Sequence, residues 1–157
     1  MISQRMQIRP SRSDERGALM ALTQSAFGAP AEAQLVGALI DEPLETPSFV
    51  AELDGELIGH VLYSQLTGPD KALALGPLTV RQQWRDMQVG TQLTRQTLSQ
   101  LRDDGWQSVF VLGAPGYYER FGFKSELADR VRSQYQGPYL LAKELVPGAL
   151  SNFDGAI

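Results

Sequence analysis

Two alternating runs, Phe49-Val50-Ala51-Glu52-Leu53 and Glu56-Leu57-Ile58-Gly59-His60-Val61-Leu62-Tyr63, are separated only by Asp54-Gly55. Such a link suits the positive φ that a tight hairpin turn demands, so this spacing predicts an antiparallel strand pair. Any fold available to the chain has to contain that pair, which removes all-helical architectures. Gly68-Pro69-Asp70 marks a further turn, and Ala72–Val80 reads as a third, more buried strand. Together these segments predict an antiparallel meander.

Helical periodicity brackets the meander. Met6-Gln7-Ile8-Arg9 can open a sheet, after which Ser13 or Asp14 can cap a helix carrying Leu19, Leu22, Ala26 and Phe27 at helical spacing. Gly28-Ala29-Pro30 ends it, and a second helix is expected to place Leu35, Val36, Leu39 and Ile40 on one face. Residues 41–47 read as a loop. Beyond the meander, a polar stretch at 81–88 leads into a helix over about 89–104, with Val89, Leu93, Thr97 and Leu101 stepping by four. A strand at 106–112, a turn at 113–116, a short helix at 117–121 and a strand at 139–145 complete the order. The expectation is one α+β domain over 1–157, with a mixed, mostly antiparallel central sheet flanked by helices.

At 157 residues the chain fits a single domain. It has no cysteine, which excludes disulfides, thiolate metal sites and a cysteine nucleophile and agrees with a reducing, cytoplasmic setting. The formal net charge is −4 with both signs interspersed, so no basic run suggests a nucleic-acid partner. Ala72–Val80, the longest apolar stretch, is interrupted by Gly76 and Pro77 and falls short of the ~20 residues a membrane helix needs. No G-x-S-x-G elbow, Walker A loop, H-E-x-x-H or clustered metal ligands occur, which weakens hydrolase, NTPase and metalloenzyme readings.

The chemistry-bearing unit is the buried strand, polar loop and long helix over 72–104. A helix N-terminus leaves about four N–H groups without partners and carries a partial positive charge, so it can hold a phosphate without basic side chains. Here Gly90 permits close backbone approach, Thr91 brings a hydroxyl to the helix start, and Arg81 and Arg85 add positive charge. A capped helix after a strand is also ordinary architecture, and both readings stand on this loop alone.

Leu78-Thr79-Val80-Arg81 followed by Arg85-Asp86-Met87-Gln88-Val89-Gly90 resembles the GNAT signature LxV…(R/Q)xxGx(G/A). Val109-Phe110-Val111-Leu112-Gly113 through Tyr117-Tyr118-Glu119-Arg120-Phe121-Gly122-Phe123 resembles a second GNAT element, in which a strand leads into a YYxRFGF helix and turn. The hairpin around Asp54–His60 is similar to the family's xGxxVGH strand pair. The blocks fall in the family's order, and the resemblance spans about Ile8 to Leu145.

The resemblance implies an acetyl-CoA-dependent N-acetyltransferase, with acetyl-CoA as co-substrate, no metal, and a small-molecule or protein amine as acceptor. It implies that the amides of Arg85, Asp86, Met87, Gln88, Val89, Gly90 and Thr91 hold the pyrophosphate. It also implies that Leu78, Thr79 and Val80 pair with the pantetheine arm. Tyr118 takes the position of the general acid that protonates the departing thiolate. With reference values near 8.5 for a thiol and 10 for a phenol, that transfer is expected to lie not far from balance. Tyr118 equally reads as one aromatic in a packed Tyr117-Tyr118-Phe121-Phe123 cluster. Glu32, Glu52, Glu119 and His60 are general bases of the right type, unranked by the sequence. His60, the only histidine, is expected to be a half-buried, satisfied imidazole. Gln88 departs from the family glycine, and if that position needs positive φ it costs about 1–2 kcal/mol. Together with Asp86 it is the basis for an alternative: a GNAT-fold acyl-CoA-binding sensor acting through a partner. Oligomeric state, including a dimer, is left open.

Overall fold

The structure, a computed structural model, describes residues 5–28, 30–41, 45–129, 131–151, 153 and 155–157. Its strands are β1 (Met6–Pro10), β2 (Ser48–Leu53), β3 (Glu56–Gln65), β4 (Ala72–Val80), β5 (Ser108–Leu112) and β6 (Leu140–Glu144). Its helices are α1 (Arg16–Phe27), α2 (Pro30–Ile40), α3 (Val89–Asp103), α4 (Pro115–Tyr118) and α5 (Ser125–Ala128). The six strands form one sheet in sequence order. β1–β2, β2–β3 and β5–β6 are antiparallel, whereas β4 and β5 are parallel. This is the mixed, mostly antiparallel sheet that the sequence predicts. Residues 42–44 of the expected 41–47 loop lie outside the described residues.

The chain divides into two compact units, one over Met1–Ser64 and Gly76–Thr97, the other over Gln65–Leu75 and Leu98–Ile157. In the first, Leu19 of α1, Val36 of α2, Val50 of β2 and Leu62 of β3 form a core with Leu39, Ile40 and Leu57 against it. The Asp54-Gly55 hairpin has φ of 51° and 85°, the left-handed pair expected of it. Gly28 ends α1 at φ 73°, and its N–H donates to the Gln24 carbonyl. Two expectations are corrected here. Neither Ser13 nor Asp14 caps the first helix: a 3-10 turn at Ser13–Glu15 precedes it, and the Glu15 carboxylate accepts the Arg12 N–H at 2.7 Å. Leu35 is 49% exposed, because α2 turns Ala33, Val36 and Gly37 inward instead.

A three-residue ionic cluster ties the start of this unit together. Arg9 of β1 donates to both carboxylate oxygens of Glu15 (3.0 and 2.7 Å) and to Glu52 of β2 (3.2 Å). The Glu15 carboxyl is consequently held down at about 2, chiefly by the Arg9 hydrogen bond and against the opposing effect of its own burial.

In the second unit, Ala72, Phe110, Ala128, Val131, Leu140, Ala142 and Leu150 pack into a separate core. β5 pairs with β4 over Ala72–Leu75 and with β6 over Ser108–Leu112. Gly113 extends that second ladder by donating its N–H to the Tyr139 carbonyl at 2.9 Å. Among the described residues no helix is long and apolar enough to cross a membrane.

Candidate active site

In the first unit, β4 ends at Val80 and the chain makes a 3-10 turn at Gln82–Trp84 before α3 begins at Val89. Asp86 and Gln88 both adopt the left-handed conformation, with φ of 66° and 67°. The position the family gives to glycine therefore does require positive φ, and Gln88 sits there under strain of about 1–2 kcal/mol. Its side chain is exposed. The first hydrogen bond into the helix runs from the Gln92 N–H to the Gln88 carbonyl at 3.0 Å. That leaves the amides of Val89, Gly90 and Thr91 ahead of the α3 ladder, at its positive end.

The loop is braced by the arginines expected to supply its charge. Arg85 donates from Nε to the Val80 carbonyl (3.3 Å) and from Nη2 to the Ala26 carbonyl at the end of α1 (3.0 Å). Arg81 donates to the Leu57 carbonyl at 2.6 Å and lies 3.3 Å from Glu56. Both guanidinium groups thus fix backbone geometry instead of standing free for an anion. The helix end is fixed from below by Gly59 of β3. A Cβ there would come within 2.8 Å of Leu93 Cδ1, 3.1 Å of Val89 Cγ1 and 3.3 Å of the Thr79 carbonyl. A side chain at 59 would have to push the Leu93 and Val89 side chains of α3 aside, so glycine suits this close approach of α3 to β3. Sequence reading missed that role because the signal, a glycine inside a strand, does not say what approaches it. Leu78 and Val80 are half-buried on β4, and the buried Thr79 hydroxyl has no hydrogen-bond partner among the described residues. This donor set fits a diphosphate: main-chain N–H groups at a helix start, two left-handed residues before them, and no buried carboxylate among them.

Tyr118 belongs to the second unit, at the end of α4. Its ring meets Tyr117 edge-on at 4.9 Å and Phe123 at 5.8 Å, so it lies in the expected aromatic cluster. Burial, with Tyr117 adding to it, pushes the phenol up to about 12. Such a group is protonated throughout the physiological range.

The candidate bases separate. His60 is fully buried, not half-buried as expected. Its Nε2 lies 2.7 Å from the Ser48 hydroxyl, while Nδ1 has no partner among the described residues, so the imidazole is not fully satisfied either. Burial lowers its pKa to about 4, partly opposed by Glu15. It is a neutral core residue. Glu52 is held by Arg9. Glu119 is exposed at the start of a 3-10 turn, and Glu32 on α2 has one buried carboxylate oxygen with no partner among the described residues.

The His60 environment sets a pH dependence of stability. With a folded value of about 4 against 6.5 for the free side chain, the unfolded chain binds more protons between those limits. Stability is therefore full above pH 6.5 and falls as pH drops towards 4, by about 2 kcal/mol at pH 5. Urea unfolding at pH 7.5 and 5 measures it; His60→Gln should lose this part of the slope, and an unchanged slope removes His60 as its source.

The Acetyltransferase (GNAT) family description matches residues 17–123. The uncharacterized N-acetyltransferase YjhQ of Escherichia coli K12 is 36% identical over 126 residues, spanning 76% of this chain and 68% of that protein. The chain belongs to the GNAT acetyltransferase family. It is by class an acetyl-CoA-dependent N-acetyltransferase with acetyl-CoA as co-substrate. Among solved structures, the GNAT N-acetyltransferase YhbS from Escherichia coli in complex with CoA superposes with a TM-score of 0.88 at 30% identity, over 97% of this chain and 88% of that one. A GNAT acetyltransferase from Brucella melitensis in complex with acetyl-CoA gives 0.76 at 30% identity, over 90% and 89%. The sheet and helices of this GNAT chain are those of that fold.

Proposed function

We propose that the chain transfers the acetyl group of acetyl-CoA to an amine by direct attack, using the β4–α3 turn as anchor and Tyr118 as proton donor. The observation that carries this reading is the turn itself: left-handed Asp86 and Gln88 run into a helix whose first amides lie outside its own ladder. In it, the main-chain groups of Arg85, Asp86, Met87, Gln88, Val89, Gly90 and Thr91 hold the diphosphate. Leu78, Thr79 and Val80 offer strand edges to the pantetheine amides.

The amine nitrogen attacks the thioester carbon, the carbon–sulfur bond breaks, and Tyr118 gives its proton to sulfur while the nitrogen loses one to a base. The chain has no cysteine and its one histidine is buried, which supports direct attack over an acyl-enzyme on either. Of the bases, Glu32 is favoured by its unpartnered oxygen. A phenol near 12 departs from the near balance expected of free side chains. Full transfer to a free thiolate of about 8.5 is uphill by about 5 kcal/mol. Hydrogen-bond donation to sulfur as its charge builds is then the larger contribution.

Calorimetric titration with acetyl-CoA, together with thiol release across a panel of primary amines, tests the reading. Binding with turnover supports it, and absent binding overturns it. Binding without turnover on any amine favours the sensor reading, for which the strained Gln88 and neighbouring Asp86 speak. In the same titration Gln88→Gly should bind acetyl-CoA equally or more tightly. The left-handed turn is already formed without ligand, and glycine keeps it while removing an exposed side chain beside the amides. Marked weakening would show that the Gln88 side chain itself contacts the co-substrate.

A further inference from the structure

We infer that Gly113, at the end of β5, is a positioning residue for Tyr118: its missing side chain is the space in which the Tyr118 ring sits. This rests on the reading of Tyr118 as proton donor and adds a residue to that machinery.

A Cβ built on Gly113 would lie 2.5 Å from Tyr118 Cε2 and 2.9 Å from Cδ2, closer than a real Cβ approaches ring carbon. Neither partner can yield easily. The Gly113 backbone is held by its N–H bond to the Tyr139 carbonyl, continuous with the Leu112–Leu140 register of β5 and β6. Tyr118 is held through its own N–H, which donates to the Ala114 carbonyl at 3.1 Å. On its other sides the ring is enclosed by Tyr117, Phe121 and Phe123, at centroid distances of 4.9, 6.4 and 5.8 Å. A side chain at 113 therefore has to swing the ring out of this cage. The φ of Gly113 is not in the left-handed region, so the requirement is for space and not for backbone freedom.

The test is Gly113→Ala, read by NMR on protein carrying carbon-13 at the tyrosine ring carbon bonded to oxygen, with Tyr118→Phe identifying the Tyr118 signal. In the parent this phenol, pushed up by burial, should titrate at about 12. In Gly113→Ala the displaced ring should titrate closer to 10, the value of a free tyrosine. An unchanged titration overturns the proposal. Thiol release measured at 15 °C should fall about tenfold or more, with KM for acetyl-CoA within about twofold. Adding Gly113→Ala to Tyr118→Phe should not remove the Gly113 effect on melting, since the ring remains, but should cause no further loss of rate. Multiplying losses overturn the proposal. A full rate in Tyr118→Phe alone defeats the proton-donor reading instead, so the two failures are distinguishable. If Gly113→Ala melts too low to assay, its melting deficit should disappear in the Tyr118→Ala background; a deficit of equal size there overturns the contact.

Discussion

Tyr118→Phe is expected to lower kcat about 100-fold or more while leaving acetyl-CoA affinity nearly unchanged, because it deletes one hydroxyl from a ring whose packing phenylalanine reproduces. The aromatic cage of Tyr117, Phe121 and Phe123 should persist, so the melting temperature of the variant reports on packing and its rate reports on the proton. The pH profile carries an independent sign. A phenol raised to about 12 stays protonated, and so remains a donor, up to well above pH 10. No loss of activity between pH 7 and 10 should therefore trace to Tyr118. Rate measurements in saturating acetyl-CoA check both statements, and equal rates in parent and variant would take Tyr118 out of the mechanism.

Arg9→Leu is expected to destabilise the fold by about 3 kcal/mol, which for a chain of this size is a fall in melting temperature of roughly 6–12 °C. The cause is not the loss of the arginine's own attraction. Glu15 is 11% exposed, and without Arg9 its carboxylate keeps the Arg12 N–H at 2.7 Å and a longer Arg12 contact at 3.4 Å. A nearly buried charge is left under-compensated. In the parent the Glu15 value of about 2 lies below the 4.5 of the free side chain, so its contribution is complete above pH 4.5 and is lost as pH falls towards 2. The difference between Arg9→Leu and the parent should accordingly be largest near neutral pH and shrink below 4.5. Arg9→Leu combined with Glu15→Gln should recover part of the loss, since removing both charges is cheaper than stranding one. A gap that stays constant from pH 7 to 3 would show that packing, not charge, is what Arg9 supplies.

The elements legible in the sequence are those whose signals are local. Asp54-Gly55 fixed the hairpin because its two left-handed residues are required by the turn whatever surrounds it. The four-residue step of Val89, Leu93, Thr97 and Leu101 marked α3, and all four are buried. Leu35 misled because helical spacing defines a stripe but not its edges, and the inward face of α2 is set by what packs on Val36. Ser13 misled for a related reason: its capping tendency was outcompeted by Glu15, which Arg9, six residues earlier, had already drawn inward.

At the candidate site the division is the same. Residue type and order along the chain determined the family, the meander, the strand–loop–helix unit and the placing of Tyr118 in an aromatic cluster. These depend on neighbours a few residues apart, which a linear reading can see. Only the tertiary structure decided that Gln88 is left-handed, that Arg81 and Arg85 are spent on carbonyls, that His60 is a buried neutral imidazole, and that Gly59 and Gly113 are empty for the sake of α3 and Tyr118. The arginine and Gly59 contacts depend on which distant segment arrives within about 4 Å, and close packing makes that a property of the assembled core. The Gln88 φ and the Gly113–Tyr118 approach are local in sequence but follow from the path the folded backbone takes, which residue type alone does not give.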